Sequence, residues 1–199
     1  MLSQYKRRIQ GVGDPVARLL LRARMRPNHL TIVGLGVSCL AAWAFAEGRL
    51  RLAAVLLALS GLFDFFDGSL ARMAGQESFF GAFLDSVVDR YSDLVVLLGI
   101  LVLAQRAGDG VGSAFTMAGL VGTVMVSYTK ARAQSIGIAC EIGIMERPER
   151  LILLIAGALS NLLVPAMALL AALTHLTALQ RILYTRRAAR AASVRDLTR

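Results

Sequence analysis

The stretch that most constrains this chain is residues 64–89, DFFDGSLARMAGQESFFGAFLDSVVD, which sets four aspartates among Phe, Leu, Val, Ala and Gly. If both halves are helical, Asp64 and Asp67 share one helix face and Asp85 and Asp89 share another, because residues three or four apart are neighbours. The turn between the halves lets the pairs face each other. Carboxylates that converge in apolar surroundings cannot all stay ionised without a cation. Oxygen ligands suit Mg²⁺, Mn²⁺ or Ca²⁺, so the stretch predicts a metal site.

The composition indicates an integral membrane protein. Hydrophobic residues make up 56% of the 199, whereas soluble domains are roughly 45–50% apolar. Each apolar segment is predicted to be a helix, since only a backbone that satisfies its own hydrogen bonds is stable in hydrocarbon. The fifth segment falls short of the about 20 residues that a span needs. We therefore predict an all-α membrane protein with six transmembrane helices, at 29–47, 50–73, 80–104, 112–135, 148–162 and 164–184.

The N-terminal residues 1–27 are basic, and no cleavable signal peptide is expected because no short apolar region ends at a cleavage site. Within them, residues 15–25 place apolar side chains on one side and arginines largely on another, which predicts an amphipathic helix in the membrane interface. A solvated basic tail is the alternative. The expected organisation is an interfacial helix within 1–27, a six-helix domain at 28–185 and a basic cytoplasmic tail at 186–199.

The distribution of charge predicts the orientation. The chain carries a net charge of +9, and its apolar segments favour anionic lipid headgroups and phosphorylated substrates over nucleic acid as partners. Basic residues are concentrated in cytoplasmic segments of membrane proteins. With both termini in the cytoplasm, only Arg49, Arg51 and Arg106 fall on the outer side, and Arg90 lies within the membrane. The aspartates are therefore expected near the cytoplasmic face of the cell membrane.

The aspartates belong to a longer pattern, Asp64-x2-Asp67-Gly68-x2-Ala71-Arg72-x8-Gly81-x3-Asp85-x3-Asp89. This pattern resembles the signature of the CDP-alcohol phosphotransferases, membrane enzymes that displace CMP from a CDP-linked lipid or alcohol with a second alcohol. The resemblance covers nearly the whole chain and implies a homodimer. It also implies two divalent ions, Mg²⁺ with Mn²⁺ possible, held by Asp64, Asp67, Asp85 and Asp89, with Asp89 as general base on the acceptor hydroxyl. The alternative is that these acids are helix caps or solvated helix ends.

The same resemblance implies a binding site for the CDP-linked lipid. The stretch that starts at Pro27 is similar to the entry of the family's first helix, and the small residues on the aspartate face let a flat base approach. Arg72 would contact the diphosphate or the cytidine; a snorkelling membrane anchor is the alternative. The predicted donor-binding residues are Asn28, His29, Leu30, Thr31, Gly68, Ala71, Arg72 and Ser78.

Two further blocks concern the acceptor alcohol. Residues 127–133, SYTKARA, and 146–150, ERPER, resemble blocks that frame an inositol-phosphate site in bacterial phosphatidylinositol-phosphate synthases. Guanidinium and ammonium groups beside a phosphotransfer centre suit a phosphorylated acceptor, whereas anchoring at the cytoplasmic interface is the alternative. The predicted acceptor-phosphate ligands are Lys130, Arg132, Arg147 and Arg150. Asp93, one turn beyond Asp89, is expected to support the site or to pair with an arginine.

The resemblance therefore implies a phosphatidyl transfer from CDP-diacylglycerol to myo-inositol phosphate, with release of CMP. Glycerol 3-phosphate and free inositol are alternative acceptors that the sequence leaves open. A divalent-cation transporter is the alternative from another class. It would distribute acids along the membrane depth on several helices, whereas here they are confined to two predicted helices with Arg72 among them.

Overall fold

The computed structural model describes residues 27–73, 75 and 78–197, with side chains described as far as residue 191. These residues form six helices and no strand: α1 Pro27–Ala46, α2 Leu50–Met73, α3 Phe79–Arg106, α4 Gly110–Ser135, α5 Arg147–Leu159 and α6 Leu163–Leu197. The predicted all-helical class is confirmed. The helices coincide with the six apolar segments to within three residues, except that α6 continues well beyond residue 184. The predicted interfacial helix lies outside the described residues.

Three of these helices are long and apolar enough to cross a membrane: Pro27–Ala46, Gly110–Ser135 and Leu163–Ala191. The chain is therefore a membrane protein. Two of the other three helices, α2 and α3, carry the aspartates and several arginines. The remaining helix, α5, has only 13 residues, which is about 20 Å of helix.

The sequence at the helix ends explains why the helices begin where they do. Ser78 precedes α3 and accepts a hydrogen bond from the Gly81 amide at 2.9 Å, while Asp109 does the same for Gly112 at 2.8 Å before α4. Such side-chain acceptors satisfy amides that the first turn of a helix leaves without partners. Gly48, in the turn between α1 and α2, has a φ of 70°, a conformation that costs glycine little.

The helices pack most extensively as α1 against α2 and α3, and as α4 against α6. The cores of these contacts consist of small residues with Leu, Val, Met and Phe, including Ala41, Ala53 and Phe45. The tightest crossing is that of α1 with α3, where a Cβ on Gly99 would lie only 2.7 Å from the Cα of Ala42. Small residues at such crossings let helix backbones approach closely in membranes.

One end of the bundle gathers the segments that carry the predicted site. The start of α1, the end of α2 and the start of α3 meet there, and so do the end of α4 and the start of α5. Residues 136–146, which join α4 to α5, contain no helix. This connection is attached to α6, because the Met145 amide donates to Thr177 Oγ1 at 3.1 Å and Arg181 Nε donates to the Ile142 carbonyl at 2.7 Å.

The α1–α3 crossing yields a stability prediction. Gly99→Ala would force the backbones of α1 and α3 apart, and overpacking of this kind costs about 1–3 kcal/mol. We expect a lower melting temperature for the detergent-solubilised variant, followed by circular dichroism. Gly36→Ala, in α1 with nothing within 4 Å of the added carbon, is the matched control and should melt no lower than the wild type. An unchanged melting temperature for Gly99→Ala would contradict the tight crossing.

Candidate metal centre

Three of the four aspartates converge at the end of the bundle described above. One carboxylate oxygen each from Asp64, Asp67 and Asp85 lies within 4.8 Å of the other two. Asp64 and Asp67 project from one face near the end of α2, and Asp85 projects from the second turn of α3. Asp67 is buried and the other two are half-buried. This set of carboxylate oxygens matches the ligand chemistry of Mg²⁺, Mn²⁺ or Ca²⁺.

A hydroxyl group from α1 holds one of these carboxylates. Thr31 Oγ1 donates a hydrogen bond to Asp67 Oδ2 at 2.7 Å, and both residues are buried. The hydrogen bond fixes the orientation of the Asp67 carboxylate. Groups that support metal-binding carboxylates in this way are part of a metal site, because they determine where the ligand atom points.

Asp89 lies one turn further along α3 and faces an arginine from α5. Arg147 Nη1 lies 2.6 Å from Asp89 Oδ1 and also forms an ion pair with Asp64, with the Arg147 side chain only 15% exposed. Arg147 is thus the cation that Asp89 faces, and Asp89 is not among the three carboxylates that converge. The oxygens of Asp64, Asp67 and Asp85 are the set that fits a divalent ion.

A second buried ion pair lies behind the aspartates. Arg150 Nη2 is 2.5 Å from Asp93 Oδ2, and Arg147 Nε is 3.7 Å from Asp93 Oδ1. Arg150 also donates to the Met145 carbonyl at 3.3 Å. The expected pairing of Asp93 with an arginine is confirmed. Asp93 therefore holds both arginines of α5 against α3. Removing Asp93 would leave their buried charges uncompensated.

A cleft of about 270 Å³ opens on one side of the aspartates, lined by residues of α1, α2 and α3 that include Asp67 and Asp85. Leu30 is fully buried in the core and His29 is exposed, and neither lines this cleft. The Ser78 hydroxyl lines it while also capping α3. Six of the eight predicted donor-binding residues line this one cleft: Asn28, Thr31, Gly68, Ala71, Arg72 and Ser78.

A second cleft, of about 310 Å³, lies on the other side and has Asp89 in its wall. Three predicted acceptor ligands, Lys130, Arg147 and Arg150, line it. Arg132 does not line this cleft, and its guanidinium contacts Ser135 at 3.2 Å instead. Lys130 and Arg132 are two residues apart and therefore cannot share a helix face.

Three charged residues that were not predicted from the sequence as site residues also line this second cleft. Arg181 of α6 lines it and is 2% exposed, and Arg90 and Glu146 line it as well. A signal for Arg181 was present in the sequence, because it is the one charged residue in the apolar run 164–184. Ionisable residues inside membrane segments are costly and usually functional.

Comparison with known proteins places these features in a family context. The sequence model described as CDP-alcohol phosphatidyltransferase matches residues 24–185. An archaetidylinositol phosphate synthase of Methanothermobacter thermautotrophicus is 39% identical, over 92% of this chain and 93% of that protein. A phosphatidylinositol phosphate synthase of Corynebacterium glutamicum is 38% identical, over 74% of this chain and 69% of that protein.

Two solved structures of phosphatidylinositol phosphate synthase from Mycobacterium tuberculosis are similar to the fold. One, with CDP-DAG bound, superimposes with a TM-score of 0.82 at 36% identity and covers 87% of this chain and 93% of that chain. The other is in complex with manganese and citrate and has a TM-score of 0.78 at 36% identity, covering 87% of this chain and 88% of that chain.

The aspartate cluster predicts how metal affinity responds to substitution. Asp85→Asn removes a ligand charge and should weaken Mn²⁺ binding by more than about 100-fold, whereas Thr31→Val, which only releases Asp67, should weaken it by about tenfold. The measurement is Mn²⁺ titration of the purified protein followed by electron paramagnetic resonance. Asp109→Asn, a helix cap at the opposite end of the bundle, is the control and should bind as the wild type does. Equal affinities in all four proteins would rule out the cluster as the metal site.

Proposed function

We propose, from the premise that this chain belongs to the CDP-alcohol phosphatidyltransferase family, that it transfers a phosphatidyl group from CDP-diacylglycerol to myo-inositol phosphate and releases CMP. The observation that carries this proposal is the position of the aspartates between two clefts. One cleft is lined by the donor-binding residues predicted from the sequence, and the other is lined by cations and Asp89. A transfer reaction needs its two substrates to meet at one reactive centre, and this arrangement supports that meeting.

In this proposal the four aspartates hold two divalent ions, Mg²⁺ in the first instance. Bound ions would neutralise charge on the donor diphosphate and so lower the activation free energy of the phosphoryl transfer. Asp64, Asp67 and Asp85 provide the converging oxygens, with Thr31 fixing Asp67. The residues that would hold the ions thus lie near the end of α2 and the start of α3, beside the proposed donor cleft.

Asp89 is proposed as the general base. It lines the acceptor cleft one helical turn from Asp85, so it can accept a proton from a hydroxyl that attacks phosphorus at the aspartate centre. In that step a bond forms between the acceptor oxygen and the lipid-linked phosphorus. The bond from this phosphorus to the oxygen of CMP breaks, and the hydroxyl proton passes to Asp89. Arg147 neutralises Asp89 and Asp64 at short range and keeps both carboxylates facing the centre.

The donor site is proposed to be the cleft of α1, α2 and α3. Gly68 and Ala71 leave space on the aspartate face of α2 for a flat base, while Arg72 supplies a cation at its edge. His29 is exposed near the start of α1 and Leu30 packs in the core, so neither is proposed to bind the donor. The M. tuberculosis structure with CDP-DAG bound supports a diacylglycerol donor, although the methanogen relative is named for an archaetidyl product.

The acceptor phosphate is proposed to bind in the second cleft. Its ligands would be Lys130, Arg147, Arg150 and Arg181, which line this cleft. Arg132 would not bind the phosphate, because it does not line the cleft. Guanidinium groups suit a phosphate monoester because they donate two parallel hydrogen bonds. Inositol phosphate is favoured over glycerol 3-phosphate and free inositol because relatives at 38–41% identity are named phosphatidylinositol phosphate synthases.

The membrane arrangement completes the proposal. All six helices cross or enter the cell membrane, the basic end of α6 extends from it, and the chain forms a homodimer. Both termini and the aspartates face the cytoplasm, which is supported by the basic residues around that end of the bundle. A transporter is disfavoured because Arg147 lies directly against two of the acids, which opposes free passage of cations.

The test is release of CMP by the purified protein in lipid vesicles. With CDP-diacylglycerol and Mg²⁺, we expect CMP and a phosphatidyl product with inositol phosphate, little with glycerol 3-phosphate or inositol, and none after chelation of divalent ions. Asp89→Asn should lower kcat by about 10²–10⁴-fold, the usual contribution of a general base. Asp109→Asn serves as the control. Absence of CMP with every acceptor, together with uptake of divalent ions by the vesicles, would replace this proposal with a transporter.

A further inference from the structure

Glu146 is an acidic residue in the wall of a cleft that we propose binds a phosphate. Its Oε1 lies 3.0 Å from Arg181 Nη2 and 3.8 Å from Lys130 Nζ, and all three residues line the cleft together with Asp89. A carboxylate near an anionic ligand would repel it. Its presence there needs a reason that outweighs this repulsion.

The backbone places Glu146 so that its side chain is available to these cations. Glu146 stands at the N-cap of α5, yet it makes no side-chain cap hydrogen bond. The residue before it is fixed by the hydrogen bond from the Met145 amide to Thr177 of α6, and Pro148 lies in the first turn of α5. The Glu146 carboxylate is therefore held at the junction of α4, α5 and α6 without a role in capping the helix.

Arg181 is almost completely immobilised by its neighbours. Its Nε donates to the Ile142 carbonyl at 2.7 Å and its Nη1 to the Val126 carbonyl at 2.6 Å, while Nη2 donates to Glu146. A guanidinium has five N–H donors, so two remain. Within the described residues, Glu146 is the carboxylate that pairs with Arg181. Without it, the buried guanidinium would lose its counter-charge and one of its three anchors.

Two carboxylates contact Lys130, and they differ in exposure and in whether they line the cleft. Glu141 Oε2 lies 3.2 Å from Lys130 Nζ, but Glu141 is 73% exposed and does not line the cleft. Glu146 is half-buried and lies 3.8 Å from Lys130 Nζ, but it lines the cleft and also pairs with the buried Arg181. A solvent-exposed ion pair contributes little to stability, so Glu141 restrains Lys130 only weakly.

We propose that Glu146 is the positioning residue of the acceptor-phosphate site. Its carboxylate orients Arg181 and Lys130 so that their remaining N–H donors point at the phosphate monoester, and this makes the enzyme select phosphorylated over unphosphorylated alcohols. The inference rests on the proposed function and specifies how its acceptor cleft works. Donors held in place before a ligand arrives bind it more tightly, because less freedom is lost on binding.

The Glu146→Gln variant distinguishes two roles of Glu146, because the two roles predict opposite changes in the KM for inositol phosphate. If Glu146 only balanced charge, its neutralisation would remove a repulsion and lower the KM for inositol phosphate. If it positions Arg181 and Lys130, the KM should rise by about tenfold, the usual effect of losing one hydrogen bond to a charged group. We expect the rise, with kcat within about twofold of the wild type and the KM for CDP-diacylglycerol unchanged, because Glu146 contacts neither reacting group.

Four further variants complete the experiment: Glu141→Gln, Glu146→Asp, Lys130→Met and the combination of Lys130→Met with Glu146→Gln. Glu141→Gln alters the same Lys130 from outside the cleft and should leave every constant unchanged. Glu146→Asp keeps the charge but shortens the reach, so it should shift the KM in the same direction as Glu146→Gln and substitutes for it if the amide variant does not fold. Lys130→Met combined with Glu146→Gln should raise the KM by less than the product of the single effects, because one held cation is already missing.

The outcomes separate this inference from the proposed function. If the wild type releases no CMP with inositol phosphate, both fail. If the wild type is active and Glu146→Gln leaves the KM unchanged or lowers it, the positioning role is overturned while the transfer reaction stands. Equal KM increases for inositol phosphate and free inositol would also overturn it, since the role requires the acceptor's phosphate.

Discussion

The structure depends on the burial of acidic side chains where α2 ends and α3 begins. Each carboxylate there must be compensated, and the compensating groups come from helices distant in sequence. Thr31 of α1 donates to Asp67, and Arg147 of α5 contacts Asp64 and Asp89. Burying such charges is costly unless the partners are well placed. The requirement for compensation therefore ties α1 and α5 to the same end of the bundle as the aspartates.

The two clefts follow from the same arrangement. The aspartates lie on two consecutive helices, α2 and α3, and one cleft opens towards α1 while the other opens towards α5. The α1 side presents small residues beside Asp67 and Asp85, and the α5 side presents cations beside Asp89. Two substrates of similar charge can thus approach one centre from different directions, which is the spatial requirement of a displacement at phosphorus.

Most of the helices and the shared faces of the aspartates could be predicted from local sequence. The apolar segments predicted the helices, and the spacing of the aspartates predicted their shared faces, because both depend on helical periodicity alone. Periodicity also explains why only some of the predicted donor-binding residues of α1 line the cleft of α1, α2 and α3. Asn28 and Thr31, three residues apart, both line it, whereas Leu30 points into the core. The end of α6 was placed too early because hydropathy stops at residue 184, while Ala, Arg and Leu continue to favour helix.

What could not be predicted are contacts set by tertiary packing. Whether Arg147 meets phosphate or aspartate depends on how α5 packs between α2 and α6, which no local pattern encodes. The same holds for Arg181, separated by 35 residues from its partner Glu146.

The attachment of the 136–146 connection to α6 has a consequence for divergence among related enzymes. The aspartates and the cleft proposed for the donor are built from α1, α2 and α3, whereas the connection, its anchors and Arg181 belong to the second half of the chain. Arg147 is the residue of the second half that contacts Asp64 and Asp89 directly. Changes elsewhere in the second half would reshape the proposed acceptor cleft and leave the aspartates in place, so related enzymes can differ in their acceptor more readily than in their reaction.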